Sequence, residues 1–244
     1  MGKELEWMRR QPKARGTKAK SRIDSFYKIE EKASQKISKD KIHIDTVELD
    51  EGEKIPKLDS YDAMIVMGGP MDTWQEETYP WLKTEKEEIH KFVSVMKKPF
   101  LGLCLGAQLL SEVVGGKVRK MKTPEIGVMD ISITNTGSIF NGMNKNLKVL
   151  QWHSYEVCDL PKNTDLLASS SLCGVQAFSC GNAFGLQFHV EQTNETVPQW
   201  ACVPEYKSAL EKTLGSNALE KFRKEVEVNL KIFNSSARTI YDNF

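Results

Sequence analysis

Apolar residues recur along this chain with two periods, and the switches between them mark out alternating strands and helices. Ala63-Met64-Ile65-Val66-Met67 is continuously apolar and stops at Gly68-Gly69-Pro70, the profile of a strand inside a parallel sheet covered on both faces. Upstream, Ile42, Ile44, Val47 and Leu49 suggest an earlier strand. From Thr84 to Met96 the period lengthens, and Ile89, Phe92, Val93 and Met96 fall on one side of an amphipathic helix. Pro99, Phe100 and Leu101 then form a short apolar run that enters Gly102-Leu103-Cys104-Leu105-Gly106, and Ala107, Gln108, Leu109 and Leu110 begin another helix. Strand, helix, strand, turn and helix in that order predict a doubly wound α/β domain on a mostly parallel sheet. Between Gly127 and Ser179 the runs shorten, as in Val128 to Thr134 and Leu166 to Ser171, which predicts extra strands on one side of the sheet. Residues 205–234 return to helical spacing, with Leu210, Leu214, Leu219, Phe222, Val226, Leu230 and Phe233 placed for burial.

Charge changes the picture at one end only. The net charge is +1, yet residues 1–22 hold eight Lys or Arg against Glu4 and Glu6, a local +6 that leaves −5 for the remainder. Residues 1–40 therefore read as a basic arm followed by a short helix from Ile23 to Ile37, and 41–244 as the α/β domain. Clustered Lys and Arg are enough to attract nucleic acid phosphates, although a solvated tail is the commoner outcome for such a run. A length of 244 residues suits one such domain and leaves no room for a second large catalytic one. Five cysteines, odd in number and without a C-x-x-C pair, support neither a disulfide framework nor a zinc knuckle. A reduced, cytoplasmic setting fits them best. No apolar run approaches the roughly 20 residues of a membrane span, and the charged start lacks the core of a signal peptide. No metal or cofactor is expected.

The turn around Cys104 carries the chemistry. A side chain that attacks a carbonyl must be lifted off its strand on a tight turn, and flanking glycines give that turn the clearance it needs. At ordinary glycine frequency only about 0.02 cysteines in this chain would have glycine at both of those positions by chance. The plain alternative is a buried small apolar residue in a sharp bend. Against it stands His189-Val190-Glu191, after the apolar run Ala183 to Phe188. In extended backbone, residues two apart project to the same side, so Glu191 can orient His189 while His189 takes a proton from Cys104.

The segments PFLGLCLGAQLL (99–110), FGLQFHVE (184–191) and VMGGP (66–70) resemble the three signatures of class I glutamine amidotransferases, with the free-standing GMP-synthase-like members nearest. The closing Ser236 to Phe244 is similar to the tail of that subgroup, and the likeness covers about residues 41–244. Val190 stands where many members carry proline. The resemblance implies a flavodoxin-like fold, glutamine as substrate, and Cys104, His189 and Glu191 as nucleophile, proton shuttle and orienting carboxylate. It further implies oxyanion donors in the N–H groups of Gly69 and Leu105, a substrate-binding Gln108, and ammonia passed to a separate synthase or other acceptor. Two alternatives stay open, a γ-glutamyl peptide hydrolase using the same residues and a degenerate, non-catalytic binding protein.

Residues about 3–35 are similar instead to a linker segment of the ABC-F ATPases, whose nucleotide-binding motifs are absent from this chain. Nothing before residue 41 looks like the apolar first strand with which such amidotransferase domains open. That strand is expected to be missing or replaced, leaving an open groove beside the 63–67 strand. The Ile42 strand could close it, the arm could fill it, or the domain could be weakened.

Overall fold

The computed structural model describes residues 42–136, 138–215 and 217–244. The basic arm, the 23–37 helix and the ABC-F-like segment lie outside them. The described residues divide into a short unit, 42–56, and a large one, Lys57–Phe244.

In the large unit the expected strand–helix alternation appears. Strand β1 is Met64–Val66, helix α1 Trp81–His90, β2 Phe100–Leu103 and α2 Leu105–Val113. Then come β3 Lys117–Ile133, β4 Asn146–Asp159, β5 Asp165–Ser169, β6 Ala177–Cys180 and β7 Ala183–Leu186. Helices α3 Thr196–Trp200, α4 Pro204–Leu214 and α5 Ala218–Asn243 close the chain. The seven strands form one mixed sheet in the order β1-β2-β7-β6-β5-β3-β4. Parallel pairing is confined to β1·β2 and β2·β7, and every other neighbour is antiparallel. The antiparallel share exceeds what a mostly parallel sheet implies because the expected extra strands join this same sheet.

Both faces of the parallel part are covered, and period two shows how. Leu101 and Leu103 of β2 point into a core shared with Ile126, Trp152, Phe188, Phe222 and Phe233. Phe100 points the other way, among Val66, Leu82, Ile89, Leu105 and Leu109 of the α1 and α2 side. At about 1.5–3 kcal/mol for each large side chain buried, these two layers fix which way each β2 residue faces.

Three expectations are corrected. Residues 42–48 form no strand and lead into a 3-10 turn at Leu49–Glu51, with Ile42 and Ile44 exposed; alternation needs a neighbouring ladder, and no described strand supplies one. The 63–67 strand is not covered on all sides, since β1 lies at the sheet edge with Ile65 53% exposed. Met64 N–H donates to Pro99 C=O at 3.0 Å, so the N–H and C=O of Ile65 face away from β2, and no described strand lies beyond them. The 205–234 helix is two helices, broken at Gly215 (φ +87°), which leaves Leu214 and Leu219 exposed. Among the described residues no helix is long and apolar enough to cross a membrane.

Candidate active site

Strand β2 ends at Leu103 and α2 begins at Leu105, so Cys104 alone makes the turn. Its backbone sits at φ 54°, ψ −105°, a region that costs an ordinary residue about 1–3 kcal/mol. Regular structure on both sides holds it there. Cys104 N–H donates to Leu186 C=O of β7 at 2.8 Å, and its own C=O accepts from the N–H groups of Ala107 and Gln108, each at 3.1 Å. The flanking glycines answer a packing demand. A Cβ on Gly102 would strike the backbone of Gly106, and one on Gly106 would strike the carbonyl of Val66.

His189 lies just past β7, where its N–H and C=O form a two-way bridge to Leu150 of β4, both bonds 2.9 Å. Its Nδ1 is 2.6 Å from Glu191 Oε1, while Glu191 Oε2 accepts from the Val190 N–H at 2.9 Å. The Trp200 ring packs edge-on against the imidazole with centroids 4.7 Å apart. A Cβ built on Gly68 would meet Cys104 Cβ at 3.2 Å and His189 Cε1 at 3.3 Å. Cys104 and His189, 85 residues apart in sequence, therefore converge on one point of the loop after β1, and the sulfur acts on the ring as a hydrogen-bond partner.

Electrostatics follow from that geometry. Burial opposes charge on His189, but the Glu191 carboxylate and the Cys104 sulfur outweigh it and push its pKa up to about 10. Burial likewise opposes charge on Glu191, and the His189 ring overrides it, holding the carboxyl below its usual range. At neutral pH the pair is an imidazolium and a carboxylate.

Gly69 lies beside Leu105, since a Cβ on the glycine would sit 3.3 Å from Leu105 Cδ2. Among the described residues neither the Gly69 nor the Leu105 N–H donates to any other group, as is usual for the first amide of a helix. Gln108 is buried and donates through Nε2 to Gln187 Oε1 at 3.0 Å and to the Tyr155 carbonyl at 3.2 Å. Gln187 in turn donates to Cys104 Sγ at 3.6 Å. Sequence reasoning misses Gln187, although period two gives it away: residues 187, 189 and 191 share one side.

The other histidines stand apart. His153 is buried with Nε2 3.1 Å from Glu125 Oε2 and Nδ1 2.8 Å from the Tyr155 carbonyl, within a network where Ser170 and Gln176 each donate to Glu125 at 2.6 Å. His90 is exposed on α1, and His43 lies exposed beside Asp45 at 3.1 Å. Among the described residues no group of three or more His, Cys, Asp or Glu side chains is placed to hold a metal ion.

Residues 22–199 match the family model described as glutamine amidotransferase class-I. The chain belongs to that family. The match begins inside the segment that resembles an ABC-F linker, so the amidotransferase likeness reaches further toward the start than residue 41. Among class-I amidotransferase relatives, the chain is 35% identical over 145 residues to a GMP synthase (glutamine-hydrolyzing) subunit of Saccharolobus solfataricus, covering 56% of this chain and 71% of the relative. It is 34% identical over 146 residues to gamma-glutamyl peptidase 3 of Arabidopsis thaliana, covering 57% of each. A crystal structure of a glutamine amidotransferase from Thermotoga maritima aligns with a TM-score of 0.73 at 32% identity, over 81% of this chain and 84% of that one. The mixed sheet with its helices is the flavodoxin-like α/β fold of this family.

Proposed function

We propose that this chain hydrolyses the side-chain amide of glutamine through a thioester on Cys104 and passes the ammonia to an acceptor on a separate synthase protein. The observation that carries the reading is the convergence of Cys104 with the His189–Glu191 pair, beside two N–H groups, of Gly69 and Leu105, that nothing else among the described residues engages.

The Cys104 sulfur attacks the amide carbon, and the oxygen takes the negative charge. Gly69 and Leu105 hold that oxyanion, and one such donor is worth about 2.7–4 kcal/mol. His189 then gives its proton to the nitrogen, the C–N bond breaks, and ammonia leaves a γ-glutamyl thioester behind. Water loses a proton to the now neutral His189 and attacks the thioester carbon; the C–S bond breaks, releasing glutamate and restoring the starting ion pair. Glu191 keeps the ring oriented and stabilises its charge throughout.

The GMP synthase relative supports an acceptor on another polypeptide, because its name makes it one subunit of a glutamine-hydrolyzing synthase. The near-equal identity to a γ-glutamyl peptidase supports a second reading, in which the same residues cleave a γ-glutamyl peptide. Ammonia release from glutamine by the native chain and by Cys104→Ala tests the first: equal release from both rejects it. Cleavage of a γ-glutamyl dipeptide by a chain that leaves glutamine intact selects the second.

A further inference from the structure

The loop that carries Gly68 and Gly69 out of β1 runs on to a cluster that takes no part in the acyl-transfer steps. Trp74, 50% exposed, packs edge to face on Tyr155 of β4 with centroids 4.7 Å apart. Tyr155 is the register partner of Lys120 on β3. Asp72 is fixed in the same loop, its N–H donating to Gln75 Oε1 at 2.7 Å and its C=O accepting from Gln75 N–H at 3.1 Å. Partial burial raises the Asp72 pKa against the pull of Lys120, and the Asp72 charge acts in turn on the Tyr155 hydroxyl. Asp72, Trp74, Lys120 and Tyr155 thus form one group. Yet among the described residues neither the Asp72 carboxylate nor the Lys120 ammonium has a hydrogen-bond or ion-pair partner.

This group adjoins the thiol. Gln187 links Cys104 Sγ to Gln108, and Gln108 donates to the Tyr155 carbonyl at 3.2 Å. A scissile amide whose nitrogen faces His189 directs its carbon chain away from that ring, and the polar groups reached from Cys104 without crossing the imidazole are Gln108, Tyr155 and the 72–75 loop. Two opposite charges that feel each other without pairing suit a ligand that carries both.

We propose that Asp72 and Lys120 are specificity-determining residues that take the α-ammonium and α-carboxylate of a γ-glutamyl group, with the Trp74–Tyr155 pair walling its methylene stem. The inference rests on the acyl-transfer reading but holds for glutamine and γ-glutamyl peptides alike, because it concerns the acyl half they share. The substrate class is any γ-glutamyl amide with a free amino-acid head.

The test crosses two variants of the full chain with two trimmed substrates. Steady-state rates are measured for glutamine, for 4-carbamoylbutanoate, which lacks the α-ammonium, and for 4-aminobutanamide, which lacks the α-carboxylate. Each trimmed compound is also measured as an inhibitor of glutamine turnover, so that one too slow to be hydrolysed still reports its affinity. Asp72→Asn is expected to raise KM for glutamine roughly 10- to 100-fold, as losing a hydrogen bond to a charged group does, and to leave 4-carbamoylbutanoate unchanged. Lys120→Met is expected to do the same for glutamine and to spare 4-aminobutanamide. Variants that weaken all three compounds equally, or none, overturn the pair's role while leaving the acyl-transfer reading standing. A native chain that cleaves neither glutamine nor a γ-glutamyl dipeptide overturns both.

Discussion

Gln187 donates through Nε2 to the sulfur of Cys104 at 3.6 Å, so the segment that presents His189 also presents, two residues earlier, an amide donor to the thiol. The same Gln187 accepts from Gln108 at 3.0 Å, which ties the first turn of α2 to the end of β7. Replacing it removes a donor from whichever sulfur species accumulates.

Gln187→Leu keeps the volume and loses both hydrogen bonds. A hydrogen bond to a charged partner is worth about 1.5–3 kcal/mol, so kcat/KM for glutamine should fall roughly 10- to 100-fold. Steady-state kinetics on a variant with native circular dichroism would check it.

Glu191→Gln removes the carboxylate that sustains the charge on His189. The imidazolium should then lose its proton well below the native value of about 10, and hydrolysis should slow by about 10²–10⁴. Ring nitrogen shifts followed by NMR across the titration read the first effect directly.

Cys104 holds an unfavourable backbone for the sake of its side chain's position. Glycine ordinarily destabilises by about 0.5–1 kcal/mol relative to alanine, but relief of about 1–3 kcal/mol of strain exceeds that. Cys104→Gly should therefore be more stable than Cys104→Ala, by about 1 kcal/mol in urea denaturation, with both inactive.

Glu85 on α1 carries an Oε2 that is buried without a hydrogen-bond partner, and burial pushes its pKa to about 7. Between the unfolded carboxyl's 4.5 and that value, the folded chain keeps a proton that the unfolded chain has released. This residue's contribution to stability is thus present below pH 4.5 and lost as pH rises through 7, by at most about 3 kcal/mol. Glu85→Gln should flatten that fall in stability between pH 5 and 7, as followed by urea midpoints.

How much was legible follows from how local each signal is. The elbow is written in five adjacent residues, because Gly102 and Gly106 answer clashes within the turn and with the neighbouring strand. His189 and Glu191 are legible as a pair from period two alone. Gln187 shares that period but has no distinctive chemistry until a sulfur 83 positions away lies beside it. The 42–49 segment has a strand's alternation without a strand's neighbour, and pairing is not a local property. The start of β3 is hidden for the converse reason: Lys117, Arg119 and Lys120 look like a solvated loop, yet β4 supplies partners for all three. The edge position of β1 is anticipated by the absence of an apolar strand before it, and Ile65 bears the exposure.

The most direct test is acid-quenched mass spectrometry of the chain caught during turnover with glutamine. A single γ-glutamyl group on the peptide that contains Cys104, formed together with an equal amount of ammonia and absent from Cys104→Ala, is the expected result. Ammonia released at the native rate with no acyl group ever found on that peptide would contradict it.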